Sequence, residues 1–133
     1  MSITENEVTN NLAFLSGRDK EVSYDFLLKP FGVSHKDIAK VATQIAYGAT
    51  IPDLVIYLGN LTEIRIEVKI NDAPLTYSEK DPNNRDLFIV PDNYPYKNDI
   101  PVRQTTWSNF FNYCYRHGCE MAALNSLKYV LGL

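Results

Sequence analysis

Residues 54–58 and 64–70 are two runs dense in β-branched and apolar side chains, separated by the turn formers Gly59 and Asn60. Such a pair reads as a β-hairpin closed by a two-residue turn. A hairpin brings the start of its first strand beside the end of its second. Asp53 therefore falls near Glu67 and Lys69. Residues 67 and 69 are two apart, so both side chains leave the same face of the sheet. Charged groups on a strand cost free energy unless they are paired or bind something. Two carboxylates beside an ammonium suit a divalent cation and phosphodiester chemistry.

The chain has 133 residues, enough for one domain over 1–133 with one core. No apolar run approaches the ~20 residues of a membrane span. The first residues carry neither a basic n-region nor an apolar h-region. A cytoplasmic location without membrane association is the expectation. Cys114 and Cys119 are too few for a disulfide framework and are expected as free thiols. The net charge of −3 argues against a protein that coats nucleic acid through charge alone. It argues less against a metal-dependent nuclease, whose site is acidic until the cation arrives.

Val8, Leu12 and Leu15 recur at helical spacing, predicting a first helix over 4–16, with Thr4 and Glu7 as a capping box and Gly17 as its end. A second short helix is expected over 22–29, stopped before Pro30. Residues 34–48 carry both signals. Ser34 and Asp37 resemble a capping box before a helix stripe, while Val41, Thr43, Ile45 and Tyr47 alternate as in a strand. Segment 71–86 is polar, with one helical turn near 76–80. Residues 87–90 read as an apolar interior strand, 91–101 as a loop and 102–105 as a short strand. Thr106 can cap a helix bearing Trp107, Phe110, Phe111 and Cys114 on one face. Gly118 breaks it, and Met121, Leu124, Leu127, Tyr129 and Leu131 continue as a last helix.

Pro52-Asp53 followed after thirteen residues by Glu67-Val68-Lys69, on apolar strands, resembles the signature of the PD-(D/E)xK nuclease superfamily. The helix from Glu5 to Asn10, the Thr43-Gln44 pair and the Thr106-Trp107 pair are similar to further features of that group. The resemblance implies an α/β (α+β) restriction-endonuclease-like core: a helix, three strands, a helix and a fourth strand, with a central mixed β-sheet flanked by helices. That order selects a strand over about 39–47 and a three-stranded meander. It also implies Mg²⁺, with Mn²⁺ as a substitute, held by Asp53, Glu67 and the Val68 carbonyl. Lys69 would then act on the attacking water, and Glu5 would be the acid brought by the first helix. The implied activity is endonucleolytic hydrolysis of DNA. The glutamine motif usual after the lysine is missing, since no glutamine follows before Gln104.

Each residue also has an ordinary reading. Asp53, Glu67 and Lys69 can form a salt bridge on a strand face. Glu5 and Glu7 can complement a helix dipole. Glu5 lies nearer the apolar stripe than Glu7 and is favoured for the site, with Glu7 as the fallback. Cys114, His117 and Cys119 offer three zinc donors without a fourth, and core packing is the better account. His35 reads as a first-turn surface residue. Tyr94 and Tyr96 offer stacking rings, although packing explains them as well. The alternative function is a catalytically inactive binding or assembly subunit that keeps the fold. A homodimer is expected, because so short and acidic a chain must reach both strands of a duplex.

Overall fold

The computed structural model describes residues 5–18, 20–43, 53–70, 86–100 and 103–133. Two helices, α1 (Glu5–Arg18) and α2 (Lys20–Leu28), lead into β1 (Ile38–Thr43), β2 (Leu54–Leu58) and β3 (Glu63–Val68). Then come β4 (Asp86–Val90), β5 (Arg103–Thr106), α3 (Trp107–Arg116) and α4 (Met121–Val130). The five strands form one α+β mixed sheet in the order β1-β2-β3-β4-β5. β1, β2 and β3 make the antiparallel meander, and β4 and β5 run parallel to β3.

Burial follows from this order. β4 is covered on both faces, and its side chains are buried from Asp86 to Val90. A strand buried on both faces reads as a continuous apolar run. One face of the sheet, with Leu54, Ile56, Leu58, Ile64, Ile66, Val68, Leu87 and Ile89, packs against α1, α2, α3 and α4. The other face holds a second cluster of Phe88, Val90, Tyr94 and Ile100, with Tyr96 against it. Tyr94 is thus a core ring rather than an exposed stacking platform. Among the described residues no helix is long and apolar enough to cross a membrane.

Local chemistry explains most boundaries. α1 runs through Gly17 to Arg18 instead of ending at the glycine. Its Val8, Leu12 and Leu15 are fully buried, as the stripe predicts. α2 stops before Pro30, which opens a single 3-10 turn over Lys29–Phe31. The two signals in 34–48 are both real. Ser34 and Asp37 form a reciprocal capping box around a 3-10 turn at His35–Asp37, and β1 follows at once. Residues 44–50, Thr4 and the 71–85 segment lie outside the described residues.

Thr106 Oγ1 accepts the Asn109 N–H and starts α3. Trp107, Phe110, Phe111 and Cys114 are all buried, the i, i+3, i+4, i+7 pattern of a core-facing helix. α3 ends at Gly118, whose φ is +70°, with the Cys119 N–H bonded to the Cys114 carbonyl at 3.0 Å. This is the Schellman stop that glycine allows. In α4 the buried side chains are Ala123, Leu124 and Leu127. Met121 and Tyr129, expected on the apolar face, are exposed instead.

The β2–β3 hairpin departs from expectation in one informative way. Its loop has three residues, Gly59, Asn60 and Leu61, because the Leu58 N–H donates to the Thr62 carbonyl at 2.8 Å. The Leu61 N–H closes the turn on the Leu58 carbonyl at 3.1 Å, and Leu61 itself has φ +69°. A type I turn followed by one left-handed residue is the usual three-residue hairpin. The extra residue changes the pairing. A two-residue loop at 59–60 would set Asp53 against Ile66, on the face of the main core. The observed register sets Leu54 against Ile66. One step of slip moves every side chain to the other face. Leucine is strained at positive φ, and this one is 95% exposed. Leu61→Gly is expected to stabilise the protein by roughly 1 kcal/mol in chemical denaturation.

Candidate active site

Asp53 precedes β2, and the β2–β3 register continued by one residue places it opposite Glu67. Leu58 and Thr62 are a hydrogen-bonded pair, so by alternation positions 53 and 67 are a non-hydrogen-bonded one. Side chains of such a pair lie on one face with Cβ atoms about 4.5–5.5 Å apart. The alternate residues Ile64, Ile66 and Val68 all point into the main core. Arg65, Glu67 and Lys69 therefore share the opposite face, beside the second apolar cluster. Glu67 and Lys69 are each only 7% exposed.

The backbone under these groups is held from three directions. Asp53 Oδ2 accepts the Val68 N–H at 2.9 Å, tying β3 to the start of β2. The Lys69 N–H donates to the Ile89 carbonyl at 2.8 Å, extending the β3–β4 pairing past the strand end. From α3, Trp107 Nε1 donates to the Lys69 carbonyl at 3.0 Å. In a strand the N–H and C=O of one residue point the same way. The Val68 carbonyl is therefore directed to the side of Asp53. Residue 52 is a proline outside the described residues, with no N–H to offer that carbonyl wherever it sits.

Trp107 couples the packed α3 to Lys69, a role that the helical stripe alone did not show. Trp107→Phe keeps an aromatic ring but leaves the buried Lys69 carbonyl without this donor. The expected cost is about 2 kcal/mol of stability, read from the urea midpoint at unchanged slope.

A charged pair absent from the sequence reading completes the face. Arg65 and Asp86 are register partners across β3 and β4. Arg65 Nε lies 2.9 Å from Asp86 Oδ1, close enough for an ion pair although its N–H is not aligned for a hydrogen bond with that oxygen. Asp86 is 3% exposed. Arg65 shares the parity of residues 67 and 69, which was the available signal. Asp86 gives no such signal, since in the sequence it stands at the end of the polar stretch before the apolar run.

The remaining candidates fall elsewhere. The Glu5 side chain lies outside the described residues, and Glu7 is exposed. Cys114 and Cys119 are buried in the main core, and Cys119 Sγ lies 4.0 Å from Ser23 Oγ. His117 stacks on Tyr113 at 4.0 Å between centroids and faces the Tyr113 carbonyl. Among the described residues no three His, Cys, Asp or Glu side chains gather as a metal-holding group. His35 is anchored on Asp25, through its N–H at 2.7 Å and its Nδ1 at 3.0 Å. Among the basic residues, Lys36, Lys40, Arg103 and Arg116 are exposed.

No family model, no curated protein and no solved structure matches the chain.

Proposed function

We propose that this chain is a metal-dependent nuclease with a restriction-endonuclease-like core, hydrolysing phosphodiester bonds of DNA. The observation that carries the reading is the register of the β2–β3 hairpin. It sets Asp53 against Glu67, on the face that also bears Lys69. A three-stranded meander after helical segments, followed by a fourth strand, fits part of the order expected of that core; the helix expected between the third and fourth strands falls on 71–85, outside the described residues.

The donor set suits a hard cation. Asp53 and Glu67 supply carboxylate oxygens, the Val68 carbonyl points toward Asp53, and Mg²⁺ favours oxygen ligands together with waters. Asp53 Oδ2 accepts the Val68 N–H, and a carboxylate offers about four lone-pair sites over its two oxygens. When bound, Mg²⁺ or Mn²⁺ would neutralise charge on the scissile phosphate and acidify a water. Lys69 supplies the third function. As an ammonium it stabilises negative charge developing on phosphorus oxygens. In its neutral form an amine at this position takes a proton from the attacking water. Trp107 and Ile89 hold the Lys69 backbone, so the side chain starts from a fixed point. A homodimer would place two such sites against the two strands of a duplex.

The test combines binding with cleavage. Mn²⁺ is expected to raise the melting temperature, since a ligand stabilises the state that binds it. Supercoiled plasmid, linear duplex and single-stranded DNA are then incubated with Mg²⁺, beside an RNA control. A protein whose melting point ignores both ions, and which leaves every DNA form intact, is not a nuclease. That result would favour the inactive binding subunit, in which the Asp53–Val68 contact is purely structural.

A further inference from the structure

At the opposite end of the sheet lies a cavity of about 360 Å³. It sits on the helix-covered face, where Leu58 and Ile64 belong to the main core. Ile64 is five residues from Lys69 along β3, roughly 16 Å at the rise of a strand. The cavity is therefore separate from the candidate active site in both position and face. Phe31 and Val33, from the segment after α2, form its apolar wall. Asn60, Thr62 and Arg103 supply its polar groups.

Among the described residues Arg103 is the only charged one in the lining. Its guanidinium carbon lies 4.5 Å from the centroid of the Phe31 ring, and its Nε donates to the Pro30 carbonyl at 3.2 Å. These two contacts fix the guanidinium plane and engage Nε. Among the described residues both Nη groups have no other partner, so the two-pronged edge that matches a carboxylate is available. Asn60 Oδ1 accepts the Thr62 N–H at 3.1 Å, which turns the amide nitrogen of Asn60 into a further donor for the cavity. A guanidinium already stacked and pinned loses little freedom when it binds.

We propose that this cavity binds a small monocarboxylate with an apolar body. The size is at the lower end of small-molecule pockets, which are about 300–1,000 Å³. The charge selects the head group. Among the described residues one cation lines the cavity, with no lysine or second arginine beside it; it balances a single negative charge, whereas a phosphate dianion would remain half uncompensated. The four apolar residues select the body. The binding is independent of the nuclease reading.

Hexanoate and benzoate are the probes, followed by ¹⁵N amide shifts of the full-length protein, with hexanol as the neutral counterpart. Saturable shifts are expected at Val33, Asn60, Thr62 and Ile64. Hexanol is expected to bind at least about tenfold more weakly, the effect of one charge-assisted pair. Arg103→Gln should lose affinity to a similar degree. Asn60→Asp keeps the acceptor for the Thr62 N–H and places a like charge on the rim. It should also weaken hexanoate, which guards against Arg103→Gln disturbing the Pro30 contact. The proposal is overturned if hexanoate and benzoate give no saturable shift at these amides, or if hexanol binds as well as hexanoate. It is equally overturned if both variants bind like the parent, or if inorganic phosphate binds more tightly than hexanoate.

Discussion

Asp53→Asn is expected to reduce Mg²⁺-dependent DNA cleavage about a thousandfold while leaving the melting temperature of the metal-free protein nearly unchanged. The substitution separates the hydrogen bond that Asp53 makes from the metal ligation proposed for it. The amide oxygen of asparagine can still accept the Val68 N–H, now held by Asp53 Oδ2 at 2.9 Å, so β3 remains tied to β2. What disappears is the negative charge. A metal ligand contributes several kcal/mol of charge stabilisation, and each 1.4 kcal/mol is tenfold in rate, hence the figure of about 10³. Asp53→Ala removes both the charge and the hydrogen bond, so it should abolish cleavage and also destabilise the fold by about 1–3 kcal/mol. The comparison is made with plasmid nicking at saturating Mg²⁺ and with thermal melts in a chelator. Equal cleavage by Asp53→Asn and the parent would remove the carboxylate from the reaction. A thousandfold loss accompanied by a large drop in melting temperature would show that the charge, not the acceptor, holds the hairpin.

How much of this was legible depended on which interactions are local. β2 and β4 announced themselves as apolar runs, and β3 as Ile64, Ile66 and Val68 alternating with charged residues, because an interior strand buries at least one apolar face. α3 was legible to the residue: Thr106, the Trp107, Phe110, Phe111, Cys114 stripe and Gly118 are a cap, a face and a stop. The hairpin showed the limit. Gly59 and Asn60 favour a tight two-residue turn, yet the loop takes in Leu61, a residue whose side chain gives no hint of positive φ. Pairing of Leu54 with Ile66 decides the matter, because it buries both in the main core. A tertiary requirement thus overrode a turn propensity, and it is the reason Asp53 faces Glu67. Helix α4 failed in the opposite direction. Its apolar residues surround the helix, and only packing against α1 selects Ala123, Leu124 and Leu127 over Met121 and Tyr129. The Arg65–Asp86 pair lay beyond reach, since nothing local joins residues on strands separated by the 71–85 segment.

That pair sets the largest expected effect on stability. Arg65→Met should destabilise the protein by roughly 3–5 kcal/mol, the usual penalty for removing one partner of a buried ion pair. The asymmetry of the site explains why. Arg65 reaches toward solvent, with 19% of its side chain exposed, while the Asp86 side chain is 4% exposed and packed in the most enclosed strand of the sheet. Methionine retains the length and apolar stem of arginine, so packing is largely kept and the remaining loss is electrostatic. Asp86 is left with its strongest counter-charge gone, two residues from Phe88 at the head of the second apolar cluster. The double variant Arg65→Met with Asp86→Leu removes both charges. It is expected to recover most of the lost stability, because a well-packed apolar pair is often as stable as a buried ionic one. Urea unfolding of the parent, both single variants and the double variant gives the coupling directly. Strict additivity of the single effects would show that the 2.9 Å contact contributes nothing of its own. Arg65 also stands two residues from Glu67 on the same face, so the double variant carries a second readout. If the pair only stabilises the sheet, the restored protein should cleave DNA at the parent rate. A stable double variant with impaired cleavage would mean that the Arg65 charge also bears on Glu67.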